Sequence, residues 1–339
     1  MSSISVQHYL HQSLATGTHR TYATAVTSYK TYCTVRGWPK DEPITARRLG
    51  DWLAALADGG QQCVATLRVY RSAMRDCFLH ETEPEHTGPN PAESEYVTMI
   101  LAGIARDKAE LEQKKRMEKK KSDPVTADLL IKLESRHSGQ GHDRIMLFAA
   151  MCLGTFALLR PNELLGAPNH KERAVQRSQI SFRDSNALEC PPGQVPHHVL
   201  FTLPVAKTDQ FRRGQFRPIG AEVAVRAIHK WCLIRDSHPI ESGQLFRFPS
   251  GKLLTTQTLL SHLRTEVAAI GITNVIFTGK CFRRGGASAM AASGLSAESI
   301  RRAGGWSISS RVWERYVDQE SAQRRAIGAS RQLDSSGKI

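Results

Sequence analysis

The 339-residue sequence has no apolar run long enough to cross a bilayer. Its longest, Ile145 to Leu159, lies between Arg144 and Arg160 and falls short of the roughly 20 residues a bilayer needs, so a buried helix is expected there. Met1 to Gln12 lacks the basic start and apolar stretch of a secretory signal, and no membrane partner is expected. Cysteine is sparse and odd in number: seven thiols, at positions 33, 63, 77, 152, 190, 232 and 281, form no CxxC pair. That pattern argues against a disulfide scaffold and for reduced thiols inside a cell. His229 and Cys232 sit one helical turn apart, but no second pair accompanies them to complete a zinc site. Carboxylates are dispersed, so no two-metal nuclease centre is expected. There is no phosphate-cradling P-loop: Gly271 and Gly279-Lys280 have the wrong spacing, and Cys281 stands where Ser or Thr is needed. Neither GxSxG nor HExxH occurs. Aromatic content is only 7%, with no stacking motif, which disfavours RNA recognition.

Positive charge is what the sequence does have. Lysine and arginine number 46 against 32 acidic residues, a net charge of +14, and the pI is about 9.7. Such a surplus says nothing about fold but favours a polyanionic partner. The length is a prior of about two domains. Residues 12 to about 112 read as helices. Tyr22, Val26, Tyr29 and Cys33 recur at helical spacing, and Gly37, Pro39 and Pro43 end that segment. Thr45 can cap a second helix carrying Leu49, Trp52, Leu53 and Leu56. A third is expected over about Gln61 to His80 and a fourth over about Glu93 to Ile104. The exposed faces of this helical domain, taken as residues 1–113, are basic and include Arg71 and Arg75, which are candidate DNA contacts.

Lys114, Lys115, Arg116, Lys119, Lys120 and Lys121 then crowd into eight residues ahead of Pro124. Self-repulsion marks residues 114–125 as a solvated linker. The run reads equally as a plain charged hinge, a hinge that tracks phosphates, or a nuclear import signal. A second domain is expected over 126–330, with a polar tail at 331–339. Helices are expected at about 126–135, 143–159, 222–235 and 256–269, and short strands at 179–183, 198–204 and 215–219. A last helical cluster fills 281 to 321. The fold class is mainly α: a helical N-terminal domain plus an α+β domain with a small antiparallel sheet.

Without metal or ATP, chemistry on a nucleic acid needs cations for the phosphate, a covalent nucleophile and a proton donor. Three segments offer these parts. In Gly154-Thr-Phe-Ala-Leu-Leu-Arg160-Pro-Asn-Glu163, an apolar helix delivers Arg160 where Pro161 breaks the pattern, although a cation there also suits the helix dipole alone. Lys207 follows the second strand in a β-turn segment rich in Lys and Arg and, taken alone, is an ordinary turn lysine. Gly279-Lys280-Cys-Phe-Arg283-Arg284-Gly-Gly-Ala leads on to Gly304-Gly-Trp306 and Trp313-Glu-Arg-Tyr316. Its paired glycines let a backbone approach something closely. Of the seven tyrosines, only Tyr316 lies beyond residue 100, so a phenolic nucleophile in the second domain can only be Tyr316. The alternative is that Val312, Trp313, Tyr316 and Val317 form an amphipathic core stripe.

The order of these parts resembles the tyrosine recombinase (phage-integrase) family: Arg160, Lys207, Lys280-x-x-Arg283, Gly-Trp306 and Tyr316. Phe-Arg283-Arg-Gly-Gly-Ala-Ser288 and Gly-Gly-Trp306 look especially like the eukaryotic mobile-element branch, the Crypton and DIRS-like recombinases. Thr21-Tyr22 and the Arg71-Ser-Ala pattern look like that family's core-binding domain, so the resemblance covers about residues 12 to 325. It implies a site-specific recombinase or integrase of a mobile element that forms a 3′-phosphotyrosyl link to duplex DNA, needs no cofactor, and works as four protomers on two DNA sites in the nucleus. The implied catalytic set is Tyr316, Arg160, Arg283, Lys207, Trp306 and Lys280, with Glu163 in support and Arg284 among the DNA contacts. Lys280 stands where the family has histidine; its amine can donate to a phosphate oxygen but is a poor general base at an ordinary pKa. A decayed, DNA-binding-only copy and a type IB topoisomerase-like relaxing enzyme remain open alternatives.

Overall fold

The protein is described here as a computed structural model, which covers residues 14, 16–39, 43–60, 62–81, 88–116, 122–139, 141–167, 173–191, 193–203, 214–237, 243–307 and 310–317. The chain divides into two compact units, Met1–Lys119 and Lys120–Ile339. It is mainly helical, with one small antiparallel sheet.

The first unit packs four helices: α1 (Thr16–Val35), α2 (Ala46–Asp58), α3 (Val64–Glu81) and α4 (Glu95–Arg116). Thr45 starts α2 by accepting a hydrogen bond from the Arg48 N–H, which satisfies one of the donors a helix start leaves unpaired. Trp52 is fully buried, stacked on Tyr70 at 5.7 Å between ring centres and met edge-on by Tyr29 at 5.3 Å. Helix α4 runs on through Arg116. The linker expected over 114–125 is therefore corrected at both ends. Lys114, Lys115 and Arg116 belong to a helix, because good helix formers follow Ala109 without a breaker. Residues 122–125 are pinned to the second unit: Asp123 exchanges hydrogen bonds with Ile276, Ser122 Oγ accepts from the Thr278 N–H, and Val125 is buried. Lys119, Lys120 and Lys121 lie outside the described residues.

The second unit is built around α6 (His142–Phe156), every residue of which from Ile145 to Thr155 is buried. A helix apolar on all sides must be enclosed. Packed around it are α5 (Ala127–Ser138), α8 (Glu222–Asp236), α9 (Thr256–Ala269) and α10 (Cys281–Ala292). After a short α7 (Pro161–Leu164), the strands β1 (Ile180–Arg183), β2 (His198–Leu203) and β3 (Gln215–Ile219) form an antiparallel sheet in chain order. Val199, Phe201 and Leu203 of β2 alternate onto the buried face. The chain then passes through α11 (Ala297–Gly304) to a 3₁₀ turn over Val312–Arg315.

The paired glycines of α10 have a packing purpose. A Cβ at Gly285 would lie 1.8 Å from the Val125 carbonyl oxygen, and one at Gly286 would lie 2.1 Å from that of Thr155. The close approach is to the protein's own backbone, and it seats α10 against α6. Alanine at 286 would gain roughly 1 kcal/mol of helix propensity, but the clash wins: Gly286→Ala will destabilise the second unit by about 2–4 kcal/mol. Urea unfolding checks this, and an unchanged or raised midpoint would contradict the packing.

His137, His262 and Glu266 form a polar knot between α5 and α9. The two imidazoles share a hydrogen bond of 2.9 Å, and Glu266 pairs with Arg136 and Arg144. Burial, and after it the neighbouring His137, pushes His262 down to about 4. The unfolded chain therefore binds the extra proton first. The stabilisation is fully present above about pH 6.5 and is lost as pH falls towards 4. Solvent screens part of it, so the loss is on the order of 2 kcal/mol. His262→Gln will flatten the fall in thermal midpoint between pH 7 and pH 4.5; an equally steep fall would place its cause elsewhere.

Candidate active site

The end of α6 sets the site. Its last turn closes with Leu158 in the left-handed region, φ 51°, a conformation that costs a leucine roughly 1 kcal/mol. This reversal turns the chain out to Arg160, which sits just before α7 with an extended backbone. Glu163, one turn on and buried, holds it twice: Oε2 accepts from the Arg160 N–H at 2.8 Å, and Oε1 accepts from its Nη1. Pro161 fits the first helical position, where no N–H is needed.

Arg283 comes from the first turn of α10 and is only 1% exposed. Its Nη1 donates to the Leu158 carbonyl at 2.6 Å, and its Nη2 donates to the Gly304 carbonyl. Glu163 Oε2 lies 3.9 Å from Nη1. The guanidinium carbon is 4.1 Å from the centre of the Trp306 ring and 5.7 Å from that of Tyr316, and the two rings are 5.3 Å apart. Gly304 and Gly305 make this possible. A Cβ at Gly304 would fall 1.7 Å from the indole, and Gly305 takes φ 63° to end α11. The structure thus brings Arg160, Glu163, Arg283, Trp306 and Tyr316 together.

Tyr316 is half-buried. Its backbone carbonyl accepts from Ser288 Oγ at 3.3 Å, and its ring packs beside Leu158, Ala287, Ala291, Ile300 and Trp313. Trp313 carries the apolar anchoring, being 4% exposed, while Val312 faces outward. The stripe and the candidate nucleophile are therefore one feature: the indole of Trp313 anchors a turn that leaves Tyr316 at the edge of the arginines.

Lys280 is exposed and ends the segment whose Gly279 abuts Pro161. Arg284 is half-buried. In the first unit, Arg71 donates to the Ala92 carbonyl and Arg75 pairs with Glu93 at 2.8 Å; with Arg68 they line an open groove. Lys207 lies outside the described residues. Among the described residues, His137, His262 and Glu266 are one group with ligand atoms close enough to hold a metal ion, but their atoms are already spent on each other and on two arginines.

Sequence reasoning missed Arg217. It lies on β3 opposite Phe201 and shares that residue's buried face, while its neighbour Phe216 is 72% exposed. A signal was available: Arg217 and Ile219 are two apart, so a strand that buries one buries both. Burial, partly offset by Glu163, pushes Arg217 down to about 10. Burial and then Arg160 push Arg283 down to about 9. Arg160 pairs with Glu163 and Arg283 lies 3.9 Å from the same carboxylate, so two guanidiniums share one negative charge, an arrangement suited to a further bound anion.

No protein-family model matches the sequence, and no curated protein matches it. Solved structures do. The XerH site-specific recombinase bound to difH substrate, in a pre-cleavage complex, superposes with a TM-score of 0.56 at 14% identity, covering 91% of this chain and 78% of that one. The Tn1549 transposon integrase in complex with circular intermediate DNA gives 0.52 at 12%, covering 89% and 98%. A lambda integrase dimer bound to a COC' core site gives 0.51 at 16%, covering 94% and 96%. What these proteins share with this chain is its architecture: it has the fold of the tyrosine recombinases.

Proposed function

We propose that the chain is a site-specific DNA recombinase of a mobile element, related to the Crypton and DIRS-like branch, that cuts and rejoins duplex DNA through a 3′-phosphotyrosyl intermediate. The observation that carries this reading is the pair of guanidiniums, Arg160 and Arg283, that share the Glu163 carboxylate, with the Tyr316 ring 5.7 Å from Arg283. A phosphodiester supplies the charge that the cluster lacks. Arg160 and Arg283 grip its non-bridging oxygens and stabilise the charge that builds in the transition state. The Tyr316 oxygen attacks phosphorus and its proton passes to solvent. The bond to the 5′ oxygen breaks, and Lys207 gives that oxygen a proton. The phosphotyrosyl link keeps the phosphodiester's energy, so a partner strand's 5′ hydroxyl reverses the step without ATP. Basic residues of both units supply phosphate contacts, and affinity falls steeply with salt. Four protomers on two DNA sites, acting in the nucleus, complete the reading.

The test is a suicide DNA substrate presented as a randomised library in EDTA. Wild-type protein will be trapped as a covalent adduct on a denaturing gel, and sequencing the attached DNA will define the target. The exposed Lys280 in the histidine position favours a second reading, a DNA-binding protein that no longer cuts. No adduct from wild type together with one from Lys280→His would decide for it.

A further inference from the structure

We infer that Arg217, which lies outside the arginine–lysine–tyrosine pattern, is a positioning residue of this site: it holds the Ala157–Leu158 turn from which Arg160 and Arg283 are both aimed. The inference rests on the recombinase reading above. Helix α6 ends with carbonyls that have no partner within the helix. Arg217 Nη1 donates to two oxygens just past that end, Ala157 at 2.5 Å and Leu158 at 3.3 Å. The Leu158 carbonyl also accepts from Arg283 Nη1, so one oxygen ties two guanidiniums together, two residues before Arg160. On its other side, Arg217 Nη2 donates to Gln215 Oε1 at 2.9 Å. That pair lies against Gly305, where a Cβ would come 2.9 Å from the Gln215 oxygen and 3.4 Å from Arg217 Nη2. Arg217 therefore bonds the turn into Arg160 and lies close to the turn into Trp306.

Core filling alone does not account for the residue. Its strand neighbours on the buried face, Val199, Phe201 and Ile219, are apolar, and an apolar side chain there would avoid the cost of burying a cation. Arg217 makes no ion pair among the described residues; its acceptors are carbonyls and an amide. At 4% exposure it does not reach DNA itself. What it does is fix a left-handed leucine turn whose displacement would move both phosphate-gripping arginines.

Single-turnover adduct formation and DNA affinity, measured on the full chain, separate this role from binding. Arg217→Met will lower the adduct rate ~100-fold, the size of loss that follows a misplacement of about 1 Å, while Kd for the same DNA stays within about threefold. Arg217→Lys, whose ammonium can still donate to the two carbonyls, will recover most of that rate. If the methionine chain does not fold, Arg217→Leu replaces it, an apolar side chain with no donor. Wild-type rates in the methionine or leucine chain would overturn the inference while leaving the recombinase reading intact. So would a lysine chain as slow as the methionine one, or an equal loss in Kd. Absence of any adduct from wild type would overturn the recombinase reading first, and this inference with it.

Discussion

A Tyr316→Phe chain will bind DNA as wild type does and form no covalent adduct. The substitution removes one oxygen and leaves the ring that packs beside Trp306 and against the small apolar cluster around Trp313, so the turn anchored by Trp313 keeps its place. Nucleophile replacement removes the first chemical step, and losses of ~10⁴-fold or more follow when no other group takes it over. Tyr316 is the one tyrosine beyond residue 100, so the second unit offers no other phenol to substitute. The measurement is the adduct band on a denaturing gel, with affinity read in parallel by mobility shift. An adduct of undiminished yield would remove Tyr316 from the mechanism. Equal loss of binding would show that the hydroxyl serves recognition and not attack.

Arg283→Lys carries the second large effect, a fall of roughly 10²–10³-fold in adduct formation. The charge is kept but the geometry is not. Arg283 uses Nη1 on the Leu158 carbonyl and Nη2 on that of Gly304, and its flat guanidinium lies against the Trp306 ring at 4.1 Å. A lysine has one nitrogen, no planar fork and a strongly hydrated head; it cannot serve both carbonyls and a phosphate together. Burial that already presses Arg283 down to about 9 will favour a neutral amine at that position all the more. The adduct rate should therefore fall while affinity, supplied by many phosphate contacts, changes little. A lysine chain that cuts at the wild-type rate would show that charge alone suffices.

Much of this was legible from residues. The strands His198–Leu203 and Gln215–Ile219 and the helix Thr256–Ala269 stand where alternation and helical spacing put them, because their apolar residues repeat at the period of the element. Thr45 caps its helix as its side chain allows. Less legible were the ends of the basic run. Charge repulsion argued for a solvated linker, but helix propensity carried α4 through Arg116, and backbone hydrogen bonds to Ile276 and Cys281 captured 122–125. Such bonds depend on partners some 150 residues away, which no local pattern encodes.

The sequence by itself determined the inventory of the site: two arginines in separate motifs, a tyrosine without rivals in its domain, and glycines placed where backbones and an indole must meet. Tertiary structure alone decided what surrounds them. The Gly285–Gly286 pair turned out to face Val125 and Thr155, and a strand register turned Arg217 inward and Phe216 outward. Composition cannot foretell such choices, because a charged side chain enters a core only when the fold has already put carbonyls there to receive it.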